Sequence, residues 1–342
     1  MELKSVLRSL CDAAGVNGEG AASAAAVGLL SAYTDDIRTD AMGNVLGFIP
    51  SKKANVPTVL LEAHIDEIGF IVTGIDEHGF VRVANVGGID NRTLDAAEVV
   101  VLTQQPLGGV FCSTPPHLSK DDTPLTELTD RGIDVGLSKE EAVARIPVGT
   151  RVCFRPHFDE LLGDRVCTKA ADNRAGVASV LGALDLVKGK ELPVNVAVSF
   201  CVQEELGGHG AKTSTFGIQP DAALVVDVSF AHTPDVDKQT VGALGKGVLI
   251  GQAPTLDTDI TNRLFSLAQK QDIPYQHEVM GARTGTDADA ISIVGSGVPC
   301  GLLSVPLRYM HTPVEVVSMG DIEATARLMA AFIQTEGVCD NA

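Results

Sequence analysis

Basic charge, paired cysteines and long apolar runs are what this chain of 342 residues lacks. Lysine and arginine number 26 against 44 aspartates and glutamates, a formal net charge of -18. That balance argues against nucleic acid and anionic membranes as partners, because both are polyanions, and leaves cations and small substrates. The cysteines, at 11, 112, 153, 167, 201, 300 and 339, are odd in number and form no Cys-x-x-Cys pair. They read as reduced, buried, small apolar residues of a cytoplasmic protein rather than as a disulfide framework or a structural zinc knot. No segment reaches the roughly 18 uninterrupted apolar residues of a membrane helix. The helical spacing of apolar residues at 3, 6, 7 and 10 is broken by charges, unlike a signal core.

The remaining composition is ordinary for a soluble globular protein: 45% hydrophobic and 20% charged residues, enough chain for two domains, and no internal repeat. Both ends alternate helix and strand. Helical spacing is expected over 1–10, 20–33, 175–187, 261–271 and 322–334, and strands over 44–49, 58–63, 194–202, 222–228 and 300–305. Between Gly69 and about Cys167 the pattern changes to short β-type runs separated by Gly, Asp and Pro. The expected fold is therefore α/β, a mixed central sheet flanked by helices, interrupted by a small all-β domain.

The residues just beyond each core strand carry the chemistry, since ligand sites in open α/β sheets lie past the carboxyl ends of strands. Thr58 to Ala63 leads to His64-Ile-Asp66-Glu67, and Val194 to Val202 to Gln203-Glu204-Glu205. Ala222 to Val226 leads to Asp227, Cys300 to Val305 leads through a loop to His311, and Asp172 precedes a helix. Taken singly, Asp172 also reads as a helix cap, Asp227 as a turn former and the histidines as loop residues. Taken together, so many carboxylates at one sheet edge would repel one another unless cations were bound. Mixed His and carboxylate ligation suits Zn²⁺ and related divalent metals, and one shared carboxylate spans the roughly 3.5–4 Å between paired ions in two-metal hydrolases. Neighbouring strand residues face opposite ways, so Glu204 and Glu205 are free to take different tasks, one binding metal and the other accepting a proton from water.

The blocks Ala63-His64-Ile-Asp66-Glu67-Ile-Gly-Phe70, Asp172-Asn-Arg-Ala-Gly176, Gln203-Glu204-Glu205-Leu-Gly207, Val226-Asp227-Val228, Gly285-Thr-Asp287-Ala288 and Arg308-Tyr-Met-His311-Thr-Pro-Val-Glu315 resemble, in order, those of the M42 family of co-catalytic metallo-aminopeptidases. A weaker likeness extends to Asp40-Ala-Met-Gly-Asn44. The resemblance implies a zinc-peptidase-like catalytic domain at 1–68 and 168–342 with an inserted β-barrel-like dimerisation domain at 69–167. It implies His64, Asp172 and Asp227 on one metal ion and Asp172, Glu205 and His311 on the other. Glu204 becomes the general acid/base and Asp66 the carboxylate that orients His64. Zn²⁺ is the first candidate for both ions, with Co²⁺ or Mn²⁺ as alternatives. The implied activity is removal of N-terminal residues from short peptides, by a homo-oligomer of dimers that assemble into a dodecamer. Two loops depart from the family pattern: Gly207-Gly-His209-Gly-Ala211 lacks the usual arginine, and Ser229-Phe-Ala-His-Thr-Pro-Asp235 differs. They leave the preferred side chain open, and His209 and His232 read as solvated loop residues. Alternative readings are a related metal-dependent deacylase or carboxypeptidase, and a non-catalytic oligomeric or sugar-binding protein.

Overall fold

The structure is a computed structural model that describes residues 1–18, 20–118, 127–234, 236–237 and 241–337, so Asp235 and Cys339 lie outside the described residues. The middle of its eleven-stranded sheet is parallel: Thr58–His64 lies between Asn195–Cys201 and Ala222–Phe230, and Cys300–Arg308 pairs with the far side of Ala222–Phe230. Each of these strands is an almost continuous apolar run buried on both faces, as a helix-covered parallel sheet requires. Antiparallel strands extend it on either side, Ile37–Thr39 and Val45–Ile49 at one edge, Glu315–Ser318, Arg165–Thr168 and Phe158–Glu160 at the other. Helix Ala171–Val187 packs against the central strands and against Met319–Ile333. It is buried on nearly every side, so its apolar residues form no single stripe. Each fully buried side chain such as Val177 or Leu181 contributes about 1.5–3 kcal/mol.

A six-stranded barrel closes separately, in the order Gly69–Ile75, Val81–Val86, Ile133–Asp134, Leu107–Phe111, Glu98–Val101, Arg151–Phe154. Closure leaves no exposed strand edge to pair with another chain. Phe70 centres its core, meeting the Phe111 ring at 4.9 Å and the Phe154 ring at 5.5 Å, both edge-on. Each such pair adds about 0.5–1.5 kcal/mol beyond the area it buries.

Two sequence expectations change, and some elements were not expected. Phe158–Glu160 and Arg165–Thr168, grouped with the insertion by their Pro- and Gly-bounded runs, pair with the large sheet, so the barrel strands end at Phe154. The strand before Glu204 and Glu205 stops at Cys201, and Gln203 is left-handed (φ 63°). The two glutamates therefore leave a turn, and their separation does not come from strand alternation. Strands Val248–Gln252 and Tyr275–Val279 and helix His209–Ile218 had no expected counterpart. The first two form an edge of the sheet, and Tyr-Gln-His-Glu-Val carries no apolar alternation to betray it. The six described cysteines are free, with Cys112 and Cys167 only partly buried. Among the described residues no helix is long and apolar enough to cross a membrane.

Candidate functional site

The parallel strands point their carboxyl ends at one place. His64 closes its strand, and Asp227 reaches the same level in the adjoining one. Asp172 has non-helical backbone angles (φ -76°, ψ 107°), so its carboxylate faces the histidines and caps no amide. Its Oδ1 lies 3.1 Å from His64 Nε2, and its Oδ2 lies 3.3 Å from His311 Nε2. Asp227 Oδ1 is 3.6 Å from the same His64 nitrogen, and Glu205 Oε1 is 3.3 Å from the same His311 nitrogen. Two clusters result, His64–Asp172–Asp227 and Asp172–Glu205–His311, each with donor atoms within 4.8 Å of one another and with Asp172 common to both. Two imidazoles and three carboxylates form a donor set that fits borderline divalent cations such as Zn²⁺. Glu204 lines the cavity of about 320 Å³ into which both clusters open.

Two further carboxylates direct both oxygens to backbone amides. Asp66 accepts from Glu204 N–H at 3.1 Å and Glu205 N–H at 3.2 Å, and its Oδ1 stands 3.4 Å from His64 Nδ1. Glu315 accepts from Asp172 N–H and His311 N–H, each at 3.0 Å. The second brace matters because His311 is itself left-handed (φ 61°), a conformation of order 1 kcal/mol or more above its alternatives. Two asparagines complete the frame. Buried Asn44 accepts from Val202 N–H at 2.9 Å and donates to Gly210 carbonyl at 3.1 Å, fixing both ends of the glutamate turn. Asn173 donates to the Val226 carbonyl at 2.7 Å, tying the Asp172 turn to the strand that carries Asp227. The barrel also reaches the site, at Gly87 and Gly88. A Cβ on Gly87 would stand 3.2 Å from Glu205 Oε2, and one on Gly88 3.2 Å from His311 Nδ1.

The electrostatics are those of a place prepared for positive charge. Burial opposes ionisation of His64, yet its hydrogen bonds with Asp172, Asp227 and Asp66 outweigh it and raise it well above the usual imidazole range. His311 is raised to about 11 in the same way, against burial, by Asp172 and Glu205. Asp172, although buried, is held below the ordinary carboxylate range by its hydrogen bonds with His311 and His64. Burial lifts Asp227 and Glu205, and lifts Glu204 to about 9 with help from the negative charges of Asp227, Glu205 and Asp172. A cation held among these ligands would supply the charge that imidazolium protons otherwise provide.

All seven residues named from the sequence, His64, Asp66, Asp172, Glu204, Glu205, Asp227 and His311, fall in this region. His209 is exposed, its Nδ1 3.3 Å from Gln203 Oε1, and neither it nor His232 lines the cavity. Sequence reasoning missed the bracing roles of Glu315, Asn44 and Asn173, although all three lie within the family-like blocks. It also missed a third cluster, Glu62–Cys201–Asp287, which is buried behind the site. Its signal is Glu62 itself, a charged residue inside the apolar run Thr-Val-Leu-Leu-Glu-Ala.

Imidazole–carboxylate clusters at the carboxyl edge of a helix-covered parallel sheet, opening into one cavity, define a zinc-peptidase-like hydrolase. The chain belongs to the M42 glutamyl aminopeptidase family, whose pattern it matches over residues 43–328. It is 32% identical over 314 residues to the lysyl aminopeptidase of Pyrococcus furiosus, covering 90% of this chain and 89% of that one. An aminopeptidase structure from the archaeon Desulfurococcus kamchatkensis superimposes with a TM-score of 0.92 at 34% identity, over 99% of this chain and 96% of the other. The TET1 peptidase of Pyrococcus horikoshii, described as assembling into a tetrahedron or a large octahedral shell, has a TM-score of 0.83 at 31% identity, over 97% and 99%. The chain is thus a hydrolase of the aminopeptidase kind.

Proposed function

We propose that this protein removes N-terminal residues from short peptides with two divalent metal ions per subunit, Zn²⁺ first, Co²⁺ or Mn²⁺ as alternatives. His64, Asp172 and Asp227 would hold one ion, and Asp172, Glu205 and His311 the other. The observation that carries this reading is Asp172, whose two oxygens face two different histidines. Held by these residues, the ions would supply the Lewis acidity that lowers the pKa of water and polarises a peptide carbonyl. Glu204 is the general base: it lines the cavity beside both clusters, it has no hydrogen-bonded cation among the described residues, and cations held by the neighbouring ligands would favour its ionised form, which can take a proton from water and return it to the leaving amine. Asp66 is a positioning residue, holding the backbone of Glu204 and Glu205 while facing His64. Metal analysis with a panel of aminoacyl chromogenic substrates, with and without chelator, tests the proposal. Two ions per subunit and chelator-sensitive cleavage support it, while full activity in the chelated protein sinks it. Blocked and free N-termini separate it from a deacylase, which would cleave the blocked peptide.

The barrel is assigned to subunit joining, with dimers closing into a dodecamer in the cytoplasm. The family neighbour that forms a tetrahedral shell supports this, as does the preference of homo-oligomers for closed point groups. Light scattering on a sizing column checks it, and an active monomer would reject it.

A further inference from the structure

The cavity extends past the metal clusters along the face of the sheet that carries Asp227. Ser229 is two residues on in the same strand, and Ser304 and Leu302 face the cavity from the neighbouring strand, where Asp227 pairs with Ser304 in register. The next strand places Gly251 beside Leu302; a Cβ there would lie 3.0 Å from the Leu302 Cβ. Gly251 is the register partner of Glu278 in the edge strand. With no side chain at 251, the glutamate reaches across it, and its Oε2 accepts from Ser304 Oγ at 2.7 Å. Ser229 lines the cavity on the same side. Met280 and Leu302 make the adjoining walls apolar. No ion pair joins Glu278 to a lysine, arginine or histidine among the described residues.

We infer that Glu278 ends the pocket for the N-terminal side chain of the substrate and selects a long aliphatic side chain with a cationic tip, lysine or arginine. The inference rests on the aminopeptidase reading. A lysyl or arginyl stem covers apolar wall while its head keeps a polar partner, which is what Met280, Leu302 and the carboxylate offer. The strands are about 4.8 Å apart, so a residue cleaved beside Asp227 has its side-chain end within reach of a carboxylate anchored on Ser304 in the adjoining strand. Burial makes the carboxyl of Glu278 reluctant to ionise alone, and a cation in the pocket removes that cost. An acidic N-terminal residue finds no positive partner there, only a second carboxyl, and is rejected. Glu278 touches none of the proposed ligands in an ion pair, and its part is specificity rather than catalysis.

The test compares kcat/KM for Lys, Arg, Leu and Glu chromogenic substrates in the metal-loaded wild type and in Glu278→Gln. Expected is a preference for Lys and Arg of at least about tenfold over Leu, larger still over Glu, with Glu278→Gln losing at least about tenfold on Lys and Arg and less than about threefold on Leu. A wild type that favours Leu or Glu overturns the inference and leaves the aminopeptidase reading standing, as does a uniform loss on all four substrates in a folded variant. A wild type that cleaves none of the four overturns both. Calorimetry on the wild type needs no variant to fold: cadaverine should bind at least about tenfold tighter than pentylamine, and equal binding rejects the pocket.

Discussion

Two acid-rich clusters meet where the strand Thr58–His64 ends, one holding Glu62 and the other His64, and they differ in kind. The cluster around Asp172 has three carboxylates, two imidazoles and an open cavity. The cluster of Glu62, Cys201 and Asp287 has two carboxyls that face each other, a thiol and no access to solvent, and among the described residues no lysine, arginine or histidine forms an ion pair with it. In the first, histidines let a carboxylate as buried as Asp172 remain ionised. In the second, burial pushes Glu62 up to about 7, while burial and the charges of Glu62 and Glu204 raise Asp287 well above the carboxylate range. Carboxylate count therefore does not make a cation site; bases and access do.

The most damaging change to this contrast is removal of the shared ligand. Asp172→Ala should lower kcat/KM by at least about a thousandfold and reduce bound metal for both ions, since it takes one donor from each cluster and leaves the remaining carboxylates unshielded. Two tightly held ions after dialysis would show that Asp172 does not bridge. Glu204→Gln comes next, with kcat down by at least about a hundredfold and metal content unchanged, because it removes a base without removing a donor. Turnover near that of the wild type would reassign the base. Asp66→Asn should cost about ten- to a hundredfold in activity, the usual range for a group that orients a ligand. If activity falls alike in Asp66→Ala and Asp66→Asn while metal affinity is untouched, the amide contacts rather than the imidazole contact carry its effect.

The smallest effect on activity is expected at the sealed cluster, and there the readout is stability against pH. Glu62 binds its proton more tightly folded than unfolded, so its contribution is complete below about pH 4.5 and is lost as pH rises towards about 7. Denaturant melts of metal-free protein should lose stability more steeply between pH 5 and 8 in the wild type than in Glu62→Gln, which should be the more stable of the two at pH 8. Activity of the loaded variant should stay within about threefold of wild type. A wild-type protein that gains stability between pH 5 and 7 through this residue would mean that Glu62 has a cationic partner after all.

Much of the fold and site is legible in the sequence, for physical reasons. The parallel strands announce themselves as short apolar runs, and a charged residue at the end of such a run, or in the loop just after it, lies at the sheet edge where ligands gather, which singles out His64, Asp227 and His311. The work a side chain does through the backbone of a distant segment is not written locally. Nothing near Glu315 says that its oxygens will hold residues 172 and 311, and nothing near Asn44 says that it will fix 202 and 210. Tyr275–Val279 is hidden because an edge strand needs no apolar face, and with it goes Glu278. The barrel boundary slips by a dozen residues because short strands with Pro and Gly between them look alike whichever sheet they join.

The glycine pair at 87 and 88 bears on how this chain can be taken apart. Since its bare backbone is part of the wall beside Glu205 and His311, the barrel is not a cassette that can be lifted out between residues 69 and 154 to leave an intact monomeric enzyme. A deletion there removes a piece of the cavity wall along with the surface proposed for assembly. Separating the two calls for changes on the outer surface of the barrel that leave this inward corner untouched.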